Sequence, residues 1–205
     1  MNSRVMPLAA LLLLPDAMLA QDSSLKVSAT PFRRGQWAAQ FQAGTAFGSL
    51  GFIKFRSPTR ALVLDLRVNG GHSESLRSDS SGAMQFTTLS SLANVQARFG
   101  WRRYGGDGNG AKVVSNYTLG VLAGFNHSVA AGFGDRFDSN GWSAGVFGDV
   151  GGTYLLTSQF GIGALASAAL TYENDVGKSS SGSKSRQWFL GGSAISASLV
   201  ATVFF

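Results

Sequence analysis

Residues 189–205 read FLGGSAISASLVATVFF, and their side chains alternate in character from one position to the next. Every second residue from Phe189 to Phe205 belongs to a mostly apolar set: Phe189, Gly191, Ser193, Ile195, Ala197, Leu199, Ala201, Val203 and Phe205. The intervening set is smaller and more polar, and includes Gly192, Ser196, Ser198 and Thr202. Because a β-strand turns successive side chains to opposite faces, the pattern predicts a strand with one apolar face.

Seven earlier segments show the same period of two: residues 36–47, 49–56, 61–70, 89–101, 113–125, 142–156 and 160–172. Short turns and longer polar connectors alternate between them, and the longer connectors are residues 74–83, 127–140 and 174–186. An even number of strands, with short turns at one end and longer loops at the other, is typical of outer-membrane barrels. We therefore predict an all-β fold, an eight-stranded antiparallel transmembrane β-barrel over residues 36–205.

The amino terminus has the pattern of a cleaved secretory signal. Arg4 precedes an apolar run at residues 8–14, and the small residues Ala17 and Ala20 follow, with cleavage expected after Ala20. The run is shorter than the ~20 apolar residues of a spanning helix, which disfavours a membrane anchor, the alternative interpretation. We predict a signal peptide over residues 1–20 and a periplasmic segment over residues 21–35.

Composition decides between a membrane barrel and a soluble one. Only 14% of the residues are charged, while 44% are hydrophobic, and there is no cysteine to form disulfides or a thiol nucleophile. So few charges do not cover a solvated outer surface, and a lipid-facing arginine at mid-depth costs ~2–4 kcal/mol. The polar set is therefore expected to face the lumen and the apolar set to face lipid.

Aromatic residues fall near both ends of the predicted strands, as expected for two interfacial girdles. On the short-turn side these are Trp37, Trp101, Tyr154, Phe160 and Phe205. On the long-loop side they are Phe47, Phe86, Phe125, Trp142, Tyr172 and Phe189.

With its signal peptide, eight alternating segments and carboxyl-terminal strand, the chain resembles the small eight-stranded bacterial outer-membrane proteins: the OmpA-type barrel, OmpX/Ail and opacity-protein group. The terminal residues Leu199, Ala201, Val203 and Phe205 are similar to the signal by which the barrel-assembly machinery recognises such chains. The resemblance implies a monomer in the bacterial outer membrane. Its partners would be outer-membrane lipids, the assembly machinery and periplasmic chaperones, with no nucleic acid.

Five charged residues are expected to point into the lumen: Lys54, Asp65, Arg67, Arg98 and Asp149. The interior of an eight-stranded barrel is about wide enough for side chains to fill. One hypothesis is a structural plug of ion pairs, because lone charges there would be poorly solvated. The other is a narrow pore, favoured by the small inward residues of the last three strands.

The sequence predicts no catalytic residue, cofactor or metal site. The only candidate clusters are His127-Ser128, near Asp135 and Asp138, and His72-Ser73. Adjacent residues on a strand face opposite ways, so neither histidine is expected to reach its neighbouring serine. The preferred function is a non-catalytic barrel for envelope structure or surface exposure, with narrow solute conductance left open. Loop-mediated adhesion or binding is the first alternative, and a lipid-modifying enzyme the second.

The net charge of +6 is concentrated at the short-turn side. Eight cations lie there against two acids, Asp22 and Asp107; the cations are Lys26, Arg33, Arg34, Arg56, Arg60, Arg102, Arg103 and Lys112. Such a rim fits anionic phospholipid headgroups, and it fits ordinary solvated turn charges equally well.

Overall fold

The computed structural model describes residues 31–44, 47–78, 85–105, 112–132, 135–192 and 196–205. Nine β-strands lie within these residues: β1 Trp37–Gly44, β2 Gly48–Ser57, β3 Arg60–Ser78, β4 Gln85–Gly105, β5 Val113–Gly132, β6 Asp135–Leu155, β7 Phe160–Ser179, β8 Lys184–Gly192 and β9 Ser196–Phe204. In this part of the chain there is no helix long and apolar enough to cross a membrane. The predicted signal peptide lies outside the described residues and stays a prediction.

The strands form one closed antiparallel ring. Each of β1 to β7 pairs with the next along the chain, and the ring closes where β1 pairs with β9. Strands β8 and β9 both pair with β7, one after the other, so together they occupy the eighth position in the wall. This confirms the predicted eight-stranded antiparallel barrel.

The register with β7 shifts by one residue between β8 and β9. Leu170 pairs with Gly192, whereas Ser167 pairs with Ser196. As a result, the residue opposite the exposed Tyr172 is Leu190, and the residue opposite the exposed Ile162 is Ala201. The outward set therefore changes from even to odd numbers, and the prediction of one unbroken alternation is wrong. By this register Phe189, opposite Glu173, lies on the other face of β8 from Leu190, although its side chain is 63% exposed.

Most of the predicted loop residues are strand. Strand β3 continues to Ser78, β5 to Gly132 and β7 to Ser179, and β6 begins at Asp135. Cross-strand pairs of polar side chains support these extensions beyond the apolar belt. The Nδ1 atom of His72 lies 2.9 Å from Oγ of Ser91, and the hydroxyls of Ser73 and Ser90 are 2.8 Å apart.

The hairpin of β1 and β2 is much shorter than the other strands. Strand β2 pairs with β3 only as far as Val68, so residues 69–78 of β3 pair with β4 alone among the described residues. On the other side of this step, β8 pairs with β7 alone within the described ranges. In the part of the chain that the structure describes, the loop end of the barrel is therefore a sheet running from β3 to β8 with two open edges.

Candidate functional site

The lumen carries a layer of ion pairs at its centre, built by β3, β4 and β6. Arg98 Nη2 lies 2.7 Å from Oδ1 of Asp149, and Arg98 Nη1 lies 3.5 Å from Oδ2 of Asp65. Arg67 Nε lies 3.2 Å from the same Asp65 oxygen. Arg98 and Asp65 are cross-strand partners, so the pairing of β3 with β4 brings them together directly. Two cations and two carboxylates leave this layer neutral, which suits its buried position.

Arg67 also spans the lumen above this layer. Its Nη2 atom donates to Oε1 of Gln42 on β1 and to Oγ of Ser167 on β7, each at 3.4 Å. Its guanidinium lies 4.4 Å from the ring centroid of Phe47. Phe47 therefore covers Arg67 and is not a lipid-facing girdle residue, which corrects the sequence prediction.

Below the ion pairs, the buried ring of Phe147 lies in the lumen. The guanidinium of Arg98 lies 3.6 Å from its centroid, in cation–π contact. Gly100 and Gly120 make room for this ring, since a Cβ atom at Gly100 would come within 3.1 Å of it and one at Gly120 within 2.7 Å. An aromatic side chain from β6 thus occupies the space that two glycines leave on β4 and β5.

Arg102, which was assigned to the basic rim from the sequence, forms a second polar layer inside the lumen. Its side chain is buried; it donates to Oγ1 of Thr118 at 2.7 Å and to Oε1 of Gln40. No described carboxylate lies within ion-pair distance of Arg102. Its Nη2 atom and the Nε2 atom of Gln40 have no hydrogen-bond partner among the described residues. Polar sites of this kind accommodate ordered water in protein interiors.

An aromatic cluster closes the turn end of the lumen. Phe32, from the segment that precedes β1, stacks on Phe55 with centroids 4.5 Å apart and on Phe204 at 5.1 Å. Tyr104 lies 4.8 Å from Phe32 and 5.2 Å from Phe55. All four rings are buried, and they form one core with aliphatic residues: Ala38, Ile53, Ala61, Val63 and Val114. This plug was not predicted from the sequence, because the alternation assigns the polar and small side chains to the lumen and the large apolar ones to lipid.

Lys54 is the one predicted lumen charge that the structure places elsewhere. Asp65, Arg67, Arg98 and Asp149 come together, whereas Lys54 is the cross-strand partner of the outward-facing Trp37. Its Nζ atom lies 4.7 Å from the Trp37 ring centroid. The inward residues of β2 at this level are Ile53 and Phe55, both fully buried. The prediction of an inward Lys54 is therefore wrong.

The outer face of the barrel is apolar around its circumference. Large hydrophobic side chains are exposed on almost every strand: examples are Phe41, Phe52, Leu64, Phe99, Leu119, Val146, Ile162 and Leu199. Exposed aromatic residues lie at both margins of this apolar belt: Trp37, Trp101, Tyr154, Phe160 and Phe205 on the turn side, and Phe125, Trp142 and Tyr172 on the loop side, where the strands continue beyond them. A buried polar interior inside an exposed apolar wall is the arrangement of a transmembrane barrel.

The histidines lie on the outer face toward the loop end, outside the lumen. His127 Nδ1 lies 2.8 Å from Oδ1 of Asn140, its cross-strand neighbour, and not near Ser128. The serine that His72 meets is Ser91, on the next strand, which spacing along the sequence does not reveal. Among the described residues no carboxylate hydrogen-bonds to the His72 imidazole beside this contact with Ser91. The described residues contain no group of three or more potential metal ligands.

The carboxyl-terminal residues of the predicted assembly signal lie on the outer face of β9. Leu199, Val203 and Phe205 are exposed and Ala201 is half-buried, while the alternate residues Ser198, Val200 and Thr202 are buried toward the lumen. The apolar face of β9 is thus turned toward lipid. A role of these residues in assembly stays a prediction.

No protein-family model and no curated protein matches this sequence. The chain is similar in structure to a major outer membrane protein from Thermus thermophilus, at 16% identity and a TM-score of 0.48, over 83% of this chain and 99% of that one. It is also similar to the N-terminal beta-barrel domain of Pseudomonas aeruginosa OprF, at 15% identity and a TM-score of 0.36, over 83% of this chain and 96% of that one. A third similar structure is that of Ail, the attachment invasion locus protein of Yersinia pestis, at 12% identity and a TM-score of 0.41, over 83% of this chain and 94% of that one. The eight-stranded antiparallel ring is established by the pairing of the strands themselves.

Proposed function

We propose that this chain is a non-catalytic β-barrel of the bacterial outer membrane that contributes to envelope structure, with a lumen closed to solutes. One observation carries the proposal: side chains obstruct the lumen at two levels. The ion pairs around Arg98 cross its centre, and the aromatic rings around Phe32 fill its turn end. A solute on its way through would have to displace both, and the charged layer loses its pairing when it opens.

The apolar wall supports the location. Where the ring is closed, the backbone of every strand is paired within the wall, which is why barrels and helices are the structures that span lipid. Transmembrane barrels with an even number of strands are typical of bacterial outer membranes. The predicted signal peptide at residues 1–20 and the exposed apolar residues of β9 fit export followed by assembly. We propose a monomer whose partners are the surrounding lipids and, during biogenesis, chaperones and the assembly machinery.

Deletion of the gene in its own host tests this role. The chain should fractionate with the outer membrane, and the deletion strain should become more sensitive to detergent, with the full chain restoring resistance. Unchanged sensitivity in a strain that normally makes the protein would contradict a structural role. Recovery of the chain in the soluble fraction would contradict the location.

A second candidate, binding of an external partner at the loop end, is favoured by the open edges of the β3–β8 sheet. An edge strand presents unpaired backbone groups that another chain can join. Val176 and Arg186 are cross-strand partners, so residues 177–185 can be replaced by an Asn-Gly turn that keeps the register. If binding to host cells or matrix falls in this variant while the barrel still folds, the binding function is supported. Unchanged binding would count against it.

A further inference from the structure

The outer face of β2, β3 and β4 has a groove of about 400 Å³ at the turn end of the barrel. Its lining includes Arg56 of β2, Arg60 and Leu62 of β3, and Trp101 and Arg103 of β4. The three arginines are exposed, and they belong to the same outward sets as the exposed Phe52, Leu64 and Phe99. The groove therefore opens at the outer face of the barrel. Its remaining lining residues, Ala61 and Arg102, are buried and lie between these outward positions along β3 and β4.

Two of these arginines face each other across neighbouring strands. Arg60 pairs directly with Arg103, and the next outward pair along the strands is Leu62 with Trp101. Like charges directly opposite each other in a sheet are destabilising. None of the described acidic residues forms an ion pair with Arg56, Arg60 or Arg103. The site thus has a local excess of positive charge that an anion would relieve.

The level of the groove along the barrel identifies the anion. Trp101 belongs to the ring of exposed aromatic residues at the turn end, with Trp37, Tyr154, Phe160 and Phe205. Such rings sit at the headgroup level of a membrane. The Arg60–Arg103 pair lies two residues closer to the turns, or about 7 Å. On the other side of Trp101 the outward residues are apolar, beginning with Leu64 and Phe99, whose ring contacts that of Trp101 edge to face at 5.6 Å.

We propose that this groove binds the phosphate of an anionic phospholipid, with an acyl chain lying along Trp101, Leu64 and Phe99. Arginine presents a planar fork of donors that matches phosphate, which makes three arginines lining one groove a better site than scattered charges. The proposal rests on the membrane location proposed above. It gives the basic rim a specific role on one face of the barrel.

Lipid retention tests the proposal. The purified protein in neutral detergent is doped with either phosphatidylglycerol or phosphatidylcholine, and the lipids that stay bound are counted by native mass spectrometry. The variant is Arg60→Gln with Arg103→Gln. The matched control, Arg33→Gln with Arg34→Gln, removes the same charge from exposed residues near the turn end that do not line the groove. Single Arg103→Gln serves if the double variant does not fold.

Wild type and control should retain phosphatidylglycerol in preference to phosphatidylcholine. The double variant should bind phosphatidylglycerol about thirtyfold more weakly than the wild type, because it loses two cations worth ~1 kcal/mol each. Equal retention of the two lipids by the wild type, or an equal loss in the control, would overturn the proposal. So would displacement of the lipid by millimolar inorganic phosphate, which would make this a site for free phosphate. A protein that does not insert into lipid vesicles at all would contradict the membrane location instead.

Discussion

Arg98 donates from Nη2 to Oδ1 of Asp149 at 2.7 Å across the lumen, and neither side chain is more than 3% exposed. This contact joins β4 to β6, which are not neighbours in the wall. Through Asp65 the same guanidinium is tied to β3 as well. One buried arginine thus links three strands, and the closed lumen depends on it.

Replacement of Arg98 by methionine should lower the free energy of unfolding by about 3–5 kcal/mol, because it leaves buried carboxylates without their main partner. Equilibrium unfolding in urea, with the protein in phosphatidylcholine vesicles, measures this loss. Arg136→Met is the control, since Arg136 pairs with Asp138 on the surface at 63% and 42% exposure and should cost less than about 1 kcal/mol. Equal losses in the two variants would show that the central ion pairs do not stabilise the barrel.

Replacement of Phe32 by alanine should lower the free energy of unfolding by about 3–5 kcal/mol, the usual range for truncating a buried phenylalanine. Phe32 lies before the first strand, and its ring anchors this segment to Phe55, Tyr104 and Phe204 inside the barrel. The same unfolding measurement applies. Arg33→Ala, at the exposed neighbouring position, should change stability by no more than about 0.5 kcal/mol. A small effect of Phe32→Ala would mean that the aromatic plug forms without this segment.

Gly120→Ala should destabilise the barrel by about 1–3 kcal/mol through overpacking. A Cβ atom there would collide with the carbonyl oxygen of Phe99 and with the ring of Phe147. Gly71→Ala is the control, because a Cβ atom at Gly71 has no neighbour within 4 Å. Comparison of the two unfolding free energies checks the position of Phe147 in the lumen. Similar values would contradict it.

Single cysteines test the register shift between β8 and β9, and the chain contains no cysteine of its own. Fluorophores attached at Leu190→Cys and Leu199→Cys should be quenched by nitroxide-labelled lipids, and those at Phe189→Cys and Val200→Cys should be protected. One of the two outward positions is even-numbered and the other odd-numbered. If 189 and 199 were quenched together and 190 were protected, the alternation would be continuous and the described pairing wrong.

The sequence was sufficient to predict the eight strands and the four central charges, and the reason is physical. Where lipid-facing side chains must be apolar and lumen-facing ones are polar, the alternation along a strand shows directly which face of the barrel wall each side chain is on. Asp65 lies between Leu64 and Leu66, and Arg67 between Leu66 and Val68, so the orientation of both follows from the pattern. Arg98 follows in the same way from its position between Ala97 and Phe99.

The prediction failed where that contrast disappears. At the turn end the lumen is filled with apolar side chains, so Ile53 and Phe55 are as apolar as an outward set, and Lys54 between them was assigned to the wrong face. Arg102 continues the inward set of Arg98 and would have been found by extending that strand past Trp101. The register shift after Gly192 gave no signal, since small residues occupy both sets there. The loop-side strand extensions were missed because beyond the lipid the two faces of a strand no longer differ consistently in polarity, as residues 127–132 (HSVAAG) show.

The measurement that tests the closed barrel most directly is the single-channel current of the refolded wild type in a planar lipid bilayer. The structure predicts no steady openings, because the ion pairs around Arg98 and the aromatic rings around Phe32 both cross the lumen. Steady openings in the wild type, with a conductance that changes in Arg67→Ala and Arg98→Ala, would contradict the closed lumen. They would make Asp65, Arg67, Arg98 and Asp149 the residues that control a pore.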